Sequence, residues 1–321
     1  MPPDPDESRL NPGSINGVGF MVNKQPVAVY GGGLKLGTEE FIREFNASYW
    51  EHQLSLVTSI PKDELTHDHV TFLRLTLSHA EEHLFALIFA CLQAPHCPDL
   101  WLYRYKPSDL PEMVGKIEAG EAILTRFGLT EFSWVEIVKT LWPGLEDKRY
   151  RLTALTLGRL ADHFASTFGR NEYNGLKHGM RLSFGGTALS FSPGGSPDVA
   201  PSPESFIKLG DSKFGSRFWD FEQVQGSKNH YQARFRLSNW DFEELGFHLT
   251  HAILLISNMG AAFRTHAQIE GDREFRFFRG DAAYEEVPKS DHGGMRMEMV
   301  SHFKLSASML LSLEDVRKLY S

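Results

Sequence analysis

Val70, Leu73, Leu77, Leu84, Ile88 and Cys91 recur at the three- and four-residue steps of one helix face, and the run stops at Ala94-Pro95. A helix turns about 100° per residue, so this spacing stacks the apolar side chains into a stripe that must be buried against other elements. Proline offers no amide to continue it. A second long apolar run, WDFEELGFHLTHAILLISNMGAAFRTHA, follows Asn239, read as its cap, and opens with acidic residues where the helix dipole favours them. Two helices of this kind predict a bundle core, and 321 residues suffice for one large domain or two ordinary ones.

The flanking segments fill in the bundle. Thr38 or Glu39 opens a helix through Val57, and Pro61 begins the segment carrying the long apolar stripe. Shorter helical pieces between 98 and 142 are broken by Pro107, Pro111, Gly120 and Gly128. Asp147 to Phe168 forms a helix that Gly169 interrupts, and RNEYNGLKHG continues as a short helix with Gly179 as its C-cap. Then the period changes. MRLSFGGTALSFSP alternates and turns at Gly185-Gly186, which predicts a β-hairpin. FIKLG and YQARFRLS are further strands, the latter with Tyr231, Ala233, Phe235 and Leu237 on one face. VAVYGGGLKLG is read as a strand and glycine turn, EFRFFRG and residues 296–305 as strands, and LSLEDVRKLY as a terminal helix capped by Ser312.

The fold class is therefore α+β, a predominantly α-helical bundle with an inserted or appended antiparallel β-rich annex. The expected organisation is an arm at 1–16, a helical body at 17–181 and the annex at 182–238. A long helix at 239–267 packs back on the bundle, and strands and a short helix occupy 268–321. No βαβ rhythm is present, which disfavours a nucleotide-binding parallel sheet. The GGG at 31–33 lacks the Gly-Lys-Ser/Thr ending of a phosphate loop.

A net charge of −8 argues against non-specific coating of nucleic acid and leaves room only for a local basic site. Cys91 and Cys97 are too few for a disulfide framework. The acidic, proline-rich start does not resemble a signal peptide, and no uninterrupted apolar stretch approaches the roughly 20 residues of a membrane span. The expectation is a cytoplasmic protein without membrane contact.

The segment FGRNEYNGLKHGMRLSFGG breaks the apolar pattern by placing Arg170, Asn174 and His178 at successive four-residue steps, with Lys177 and Arg181 nearby. Arginine is a fork-shaped donor to phosphate, and imidazole exchanges protons near neutral pH. Metal-free RNA cleavage needs that pair: a base for the 2′-hydroxyl proton and a cation for charge building on phosphorus. The blander reading of the same residues is a polar helix end, with His178 and Lys177 softening the C-terminal dipole.

"YNGLKHG" and the preceding "GRN" resemble the signature region of HEPN domains, helical bundles that include RNA-cleaving toxins and defence proteins. The family motif is an arginine, a polar residue that is often asparagine, and a histidine after four to six intervening residues. Starting from Arg170-Asn171 leaves seven residues before His178; anchoring on Asn174 and His178 places Tyr173 at the arginine position. The resemblance implies His178 as acid/base, Arg170 as phosphate clamp and Asn174 as positioning group. It also implies RNA or a partner protein as ligand, a homodimer and no cofactor.

Other motifs carry competing chemistry. "SHAEEH" contains His79, Glu82 and His83 in the inverted zinc-peptidase spacing, where two histidines share a metal and the glutamate activates water. The third ligand, Glu146 or Asp162, has no supporting pattern, so no metal is expected. If the long helices pack together, His79, His83, Asp162, His163 and His248 could line a common polar cavity. SRFWDFEQ and EFRFFRG interleave Arg217, Arg273, Arg276 and Arg279 with aromatics. On strands this is read as an outward arginine row beside an inward aromatic row, with base stacking as the alternative.

Overall fold

The computed structural model describes residues 17–177, 182–186, 189–191, 207–210, 212–224, 229–277, 296–299 and 312–318. The chain is mostly helical with small antiparallel sheets, as the change of sequence period requires. It divides into two compact units, Met1–Arg170 with Phe242–His292, and Asn171–Asp241 with Gly293–Ser321.

The first unit begins with a hairpin of β1 (Gly17–Val22) and β2 (Gln25–Tyr30), paired antiparallel. Its two-residue turn places Asn23 at φ 50°, a left-handed conformation that asparagine tolerates. Helices follow as α1 (Leu34–Glu44), α2 (Ser48–Thr58), α3 (His67–Gln93), α4 (Pro98–Leu102), α5 (Asp109–Glu118), α6 (Trp134–Leu141) and α7 (Asp147–Ala165). The long α9 (Phe242–His266) belongs to the same unit and packs along α3.

Thr66 caps α3 by accepting from the His69 amide, and His69 Nδ1 accepts from the Thr66 amide in return. All six residues of the apolar stripe are fully buried, and so are Phe85, Leu87 and Phe89 on other faces. Each such aliphatic or phenyl side chain contributes about 1.5–3 kcal/mol of burial, so α3 is the core of the unit. Both α3 and α9 have the length and mean hydropathy, 1.2, of membrane-crossing helices, yet 78% and 72% of their most apolar windows are buried inside the protein. Core helices look the same by composition.

Several expected boundaries shift: α1 starts at Leu34 rather than at Thr38 or Glu39, and α3 at His67 rather than at Pro61. The single helix expected from Thr38 to Val57 is two, because Asn46 diverts the backbone. Its side chain donates to the Glu44 carbonyl and accepts from the Ser48 amide. The break between α7 and the next helix, α8 (Thr167–Lys177), falls at Ser166 rather than Gly169. Ser166 Oγ accepts from the Gly169 amide at 3.0 Å as an N-cap. Asn239 does not cap α9; it lies within a strand, and α9 starts at Phe242. The described part of EFRFFRG is irregular, its backbone at Arg276 bonding both ways to the Asn258 side chain.

The second unit is built on a four-stranded antiparallel sheet. Its order is β3 (Leu182–Phe184), β6 (Phe214–Gln223), β7 (Tyr231–Trp240) and β8 (Arg296–Met299). The hairpin expected around Gly185-Gly186 does not form: β3 pairs with β6, while β4 (Leu189–Phe191) pairs with β5 (Ile207–Gly210) in a separate sheet. Gly186 instead allows close backbone approach, since a Cβ there would lie 1.5 Å from the Ser212 carbonyl oxygen. The terminal helix α10 (Leu313–Lys318) is capped by Ser312 Oγ, which accepts from the Asp315 amide.

The division between the units falls inside α8, at Arg170–Asn171, whereas the helical body was expected to run to 181. Asn171 and Glu172 bond to β6 and β7, and this ties the rest of the helix to the sheet.

Candidate functional site

Hydrogen bonds fix which way α8 turns. Asn171 Nδ2 donates to Asp220 Oδ1 at 2.8 Å, and Asp220 Oδ2 pairs with Arg236 at 2.7 Å. Glu172 is 1% exposed, and its Oε1 accepts from Ser216 Oγ at 2.5 Å and from Trp240 Nε1 at 3.0 Å. Gly175 sits so close to Leu182 that a Cβ would lie 2.9 Å from its methyl. At 100° per residue these three positions define the face held down on the sheet.

Arg170, Tyr173, Asn174 and Lys177 occupy the opposite side of the helical wheel. Asn174 and Lys177 are exposed, and the Lys177 ammonium lies 5.3 Å from the centroid of the Tyr173 ring. Arg170 is half-buried, its Nε makes no hydrogen bond, and it has no carboxylate partner among the described residues. Three other arginines bond through their terminal guanidinium nitrogens. Arg236 pairs with Asp220, Arg74 donates to Ser78, and Arg264 donates to the Phe45 carbonyl. His178 and Arg181 lie outside the described residues, as does Gly179. Of the two ways of anchoring the motif, the one that uses Asn171 meets a side chain already committed to Asp220; Asn174 is uncommitted to the sheet.

The α3 histidines do not converge. His79 and Glu82 are half-buried on α3, while the His83 ring stacks on Phe45 at 6.4 Å and lies against Trp50 at 5.7 Å. Among the described residues no group of three or more His, Cys, Asp or Glu is placed to hold a metal ion. The common polar cavity expected from His79, His83, Asp162, His163 and His248 is absent from the described residues because these side chains go separate ways. Asp162 is exposed, His248 lies 3.9 Å from Glu244 on its own helix, and His163 turns inward.

Burial pushes the His83 imidazole down to about 4, with Glu82 a weaker opposing influence. The folded ring therefore stays neutral over a range where the unfolded ring is protonated. It adds stability that is complete above about 6.5 and lost as pH falls toward 4. His83→Phe is expected to remove about 2–3 kcal/mol of that acid-side loss. Urea midpoints of the variant should change less between pH 7 and 4 than those of the wild type.

The sequence reading missed a buried histidine–carboxylate contact between α3 and α7. His163 Nδ1 lies 2.6 and 2.7 Å from the two Glu81 carboxylate oxygens, with both side chains 3% exposed or less. The signal was a row of Arg74, Ser78 and Glu81 among the buried positions of α3, with Thr153, Thr156, Arg159 and His163 as buried polar positions of α7.

One cavity of about 450 Å³ lies in the first unit, bounded by Val18, Thr38, Ile42, His96, His266 and Ile269 among others. Burial lowers the pKa of both imidazoles, so they stay neutral there at physiological pH. The free thiols Cys91 and Cys97 are buried, and burial pushes the Cys97 thiol up to about 12.

Comparison with family models, with curated proteins and with solved structures finds no match, so the site's chemistry rests on this chain's own residues.

Proposed function

We propose that the chain binds RNA through its phosphates along the outward face of α8, as an HEPN-like module working in the cytoplasm and assembling as a homodimer. The observation that carries this reading is Arg170, a half-buried guanidinium with an unbonded Nε and no carboxylate partner among the described residues. A guanidinium fork that no carboxylate among the described residues occupies is a donor set of the geometry that phosphate oxygens match. In this reading Arg170 clamps a phosphate, Asn174 positions it, and Lys177 and Arg181 add positive charge along the strand. His178 is the acid/base for cleavage at the 2′-hydroxyl, should the bound strand be cut. Because the whole chain is acidic, the attraction is local to this helix.

Fluorescence anisotropy with a labelled 20-nucleotide RNA tests the reading. Arg170→Ala should weaken binding at least tenfold, the loss of one charge-assisted phosphate contact. Equal affinity of variant and wild type removes Arg170 from the site. The same RNA incubated in EDTA separates binding from cleavage: products formed by wild type and abolished by His178→Ala would make the protein a metal-independent endoribonuclease.

A further inference from the structure

The outer face of the four-stranded sheet carries three exposed aromatic rings, Trp219, Phe221 and Tyr231, with Leu237 at one end buried. Strand alternation places Arg217, Trp219, Phe221 and Gln223 of β6 on the face away from Asn171 and Glu172. Their cross-strand partners are Leu237, Phe235, Ala233 and Tyr231 of β7. The inward row holds Ser216, bonded to Glu172, Asp220, bonded to Asn171 and Arg236, and Phe218, 4% exposed. Arg217 and Phe218 take the expected outward and inward places, while Trp219 and Phe221 fall on the outward face with Arg217. Trp219 is 58% exposed, Phe221 63% and Tyr231 57%. Trp219 and Phe235 meet with ring centroids 5.0 Å apart and tilted planes.

The composition of this face bears on what covers it. Its eight positions include no acidic residue, in a chain of net charge −8. The one charge is Arg217, anchored by a bond to the Gly186 carbonyl at 3.0 Å and with its Nε unbonded. Alternate residues along a strand are about 6.8 Å apart, so Trp219 and Phe221 offer successive rings to splayed planar groups. Exposed aromatics on the central strands of a four-stranded sheet, with a helix on the opposite face and a cation in the row, form a surface on which unpaired bases stack.

We infer that the outer face of β6 and β7 is a base-stacking platform, and that it makes the protein selective for single-stranded RNA. The inference rests on the RNA reading of α8 and adds which form of RNA is taken. Bases in a duplex are already stacked and paired, so only the helix contacts to phosphate would remain for it.

The test compares a 20-nucleotide single strand and the corresponding duplex on the full-length chain, using Trp219→Ala/Phe221→Ala. The single strand should bind at least tenfold more weakly to this variant, with duplex binding unchanged. Trp219→Phe/Phe221→Tyr, which keeps both rings, should restore most of the loss and controls for folding. Arg170→Ala should weaken both RNAs. If the double alanine variant binds single strands like wild type while Arg170→Ala does not, the platform is refuted and the α8 reading stands. If wild type binds neither RNA, both fail. A wild-type dimer that the alanine variant converts to monomer would make this face a self-association surface and overturn the inference.

Discussion

Glu81→Ala is expected to lower the unfolding free energy of the helical unit by about 3–5 kcal/mol, measured by urea denaturation at neutral pH. The cost comes from what is left behind rather than from the pair's own attraction. Both side chains are 3% exposed or less, and His163 Nδ1 lies within 2.7 Å of each carboxylate oxygen. Removing the carboxylate takes from the buried imidazole the acceptor within 2.7 Å of its Nδ1 and opens a cavity beside it. A double-variant cycle separates the two contributions. Glu81→Leu/His163→Leu should recover most of the stability lost by either alanine substitution, because an apolar pair needs no partner. Near-additive losses would show that the side chains act independently.

Glu172→Ala carries the second large effect, about 2–4 kcal/mol in the sheet unit. One carboxylate oxygen serves two buried donors, the Ser216 hydroxyl and the Trp240 indole, and each loses its acceptor in the variant. The substitution also loosens the helix that carries Asn174 and Lys177. Hydrogen exchange at residues 171–177 should accelerate well beyond the change in the strands themselves. Since Glu172 points away from the proposed RNA face, weakened RNA binding in this variant would come through α8's anchoring. Unchanged exchange along α8 would mean that other contacts hold it in place.

The core was legible because it obeys one rule at a time. A stripe at helical spacing with no competing turn residue became α3, and the alternation of Tyr231, Ala233, Phe235 and Leu237 became one face of β7. Breaks set by side-chain bonds were not legible. Asn46 and Ser166 look like ordinary polar helix residues until their bonds to nearby backbone are seen. Gly185-Gly186 looked like a hairpin turn because glycine pairs usually make one. Here Gly186 answers a need set by distant residues, the close passage of Ser212 and Lys213.

The candidate site divides in the same way. Arg170 and Asn174 could be chosen from spacing alone, since helical period dictates their shared side. That Asn171 belongs to the sheet instead depends on Asp220, forty-nine residues away. The outward turn of Trp219 and Phe221 was hidden because alternation fixes two faces but not which of them is covered. Asn171 and Glu172 decide that by seating α8 on the face of Ser216 and Asp220. The Glu81–His163 contact follows the same logic, as neither helix reveals its partner's register.

The most direct measurement is the salt dependence of RNA affinity for wild type and Arg170→Ala. Releasing condensed counterions gives a slope of about −0.7 per phosphate contact on single strands, so losing one contact should flatten the line by roughly that amount. A flatter line with weaker binding at low salt is the expected result. Parallel lines of equal affinity would mean that the guanidinium on α8 never meets a phosphate.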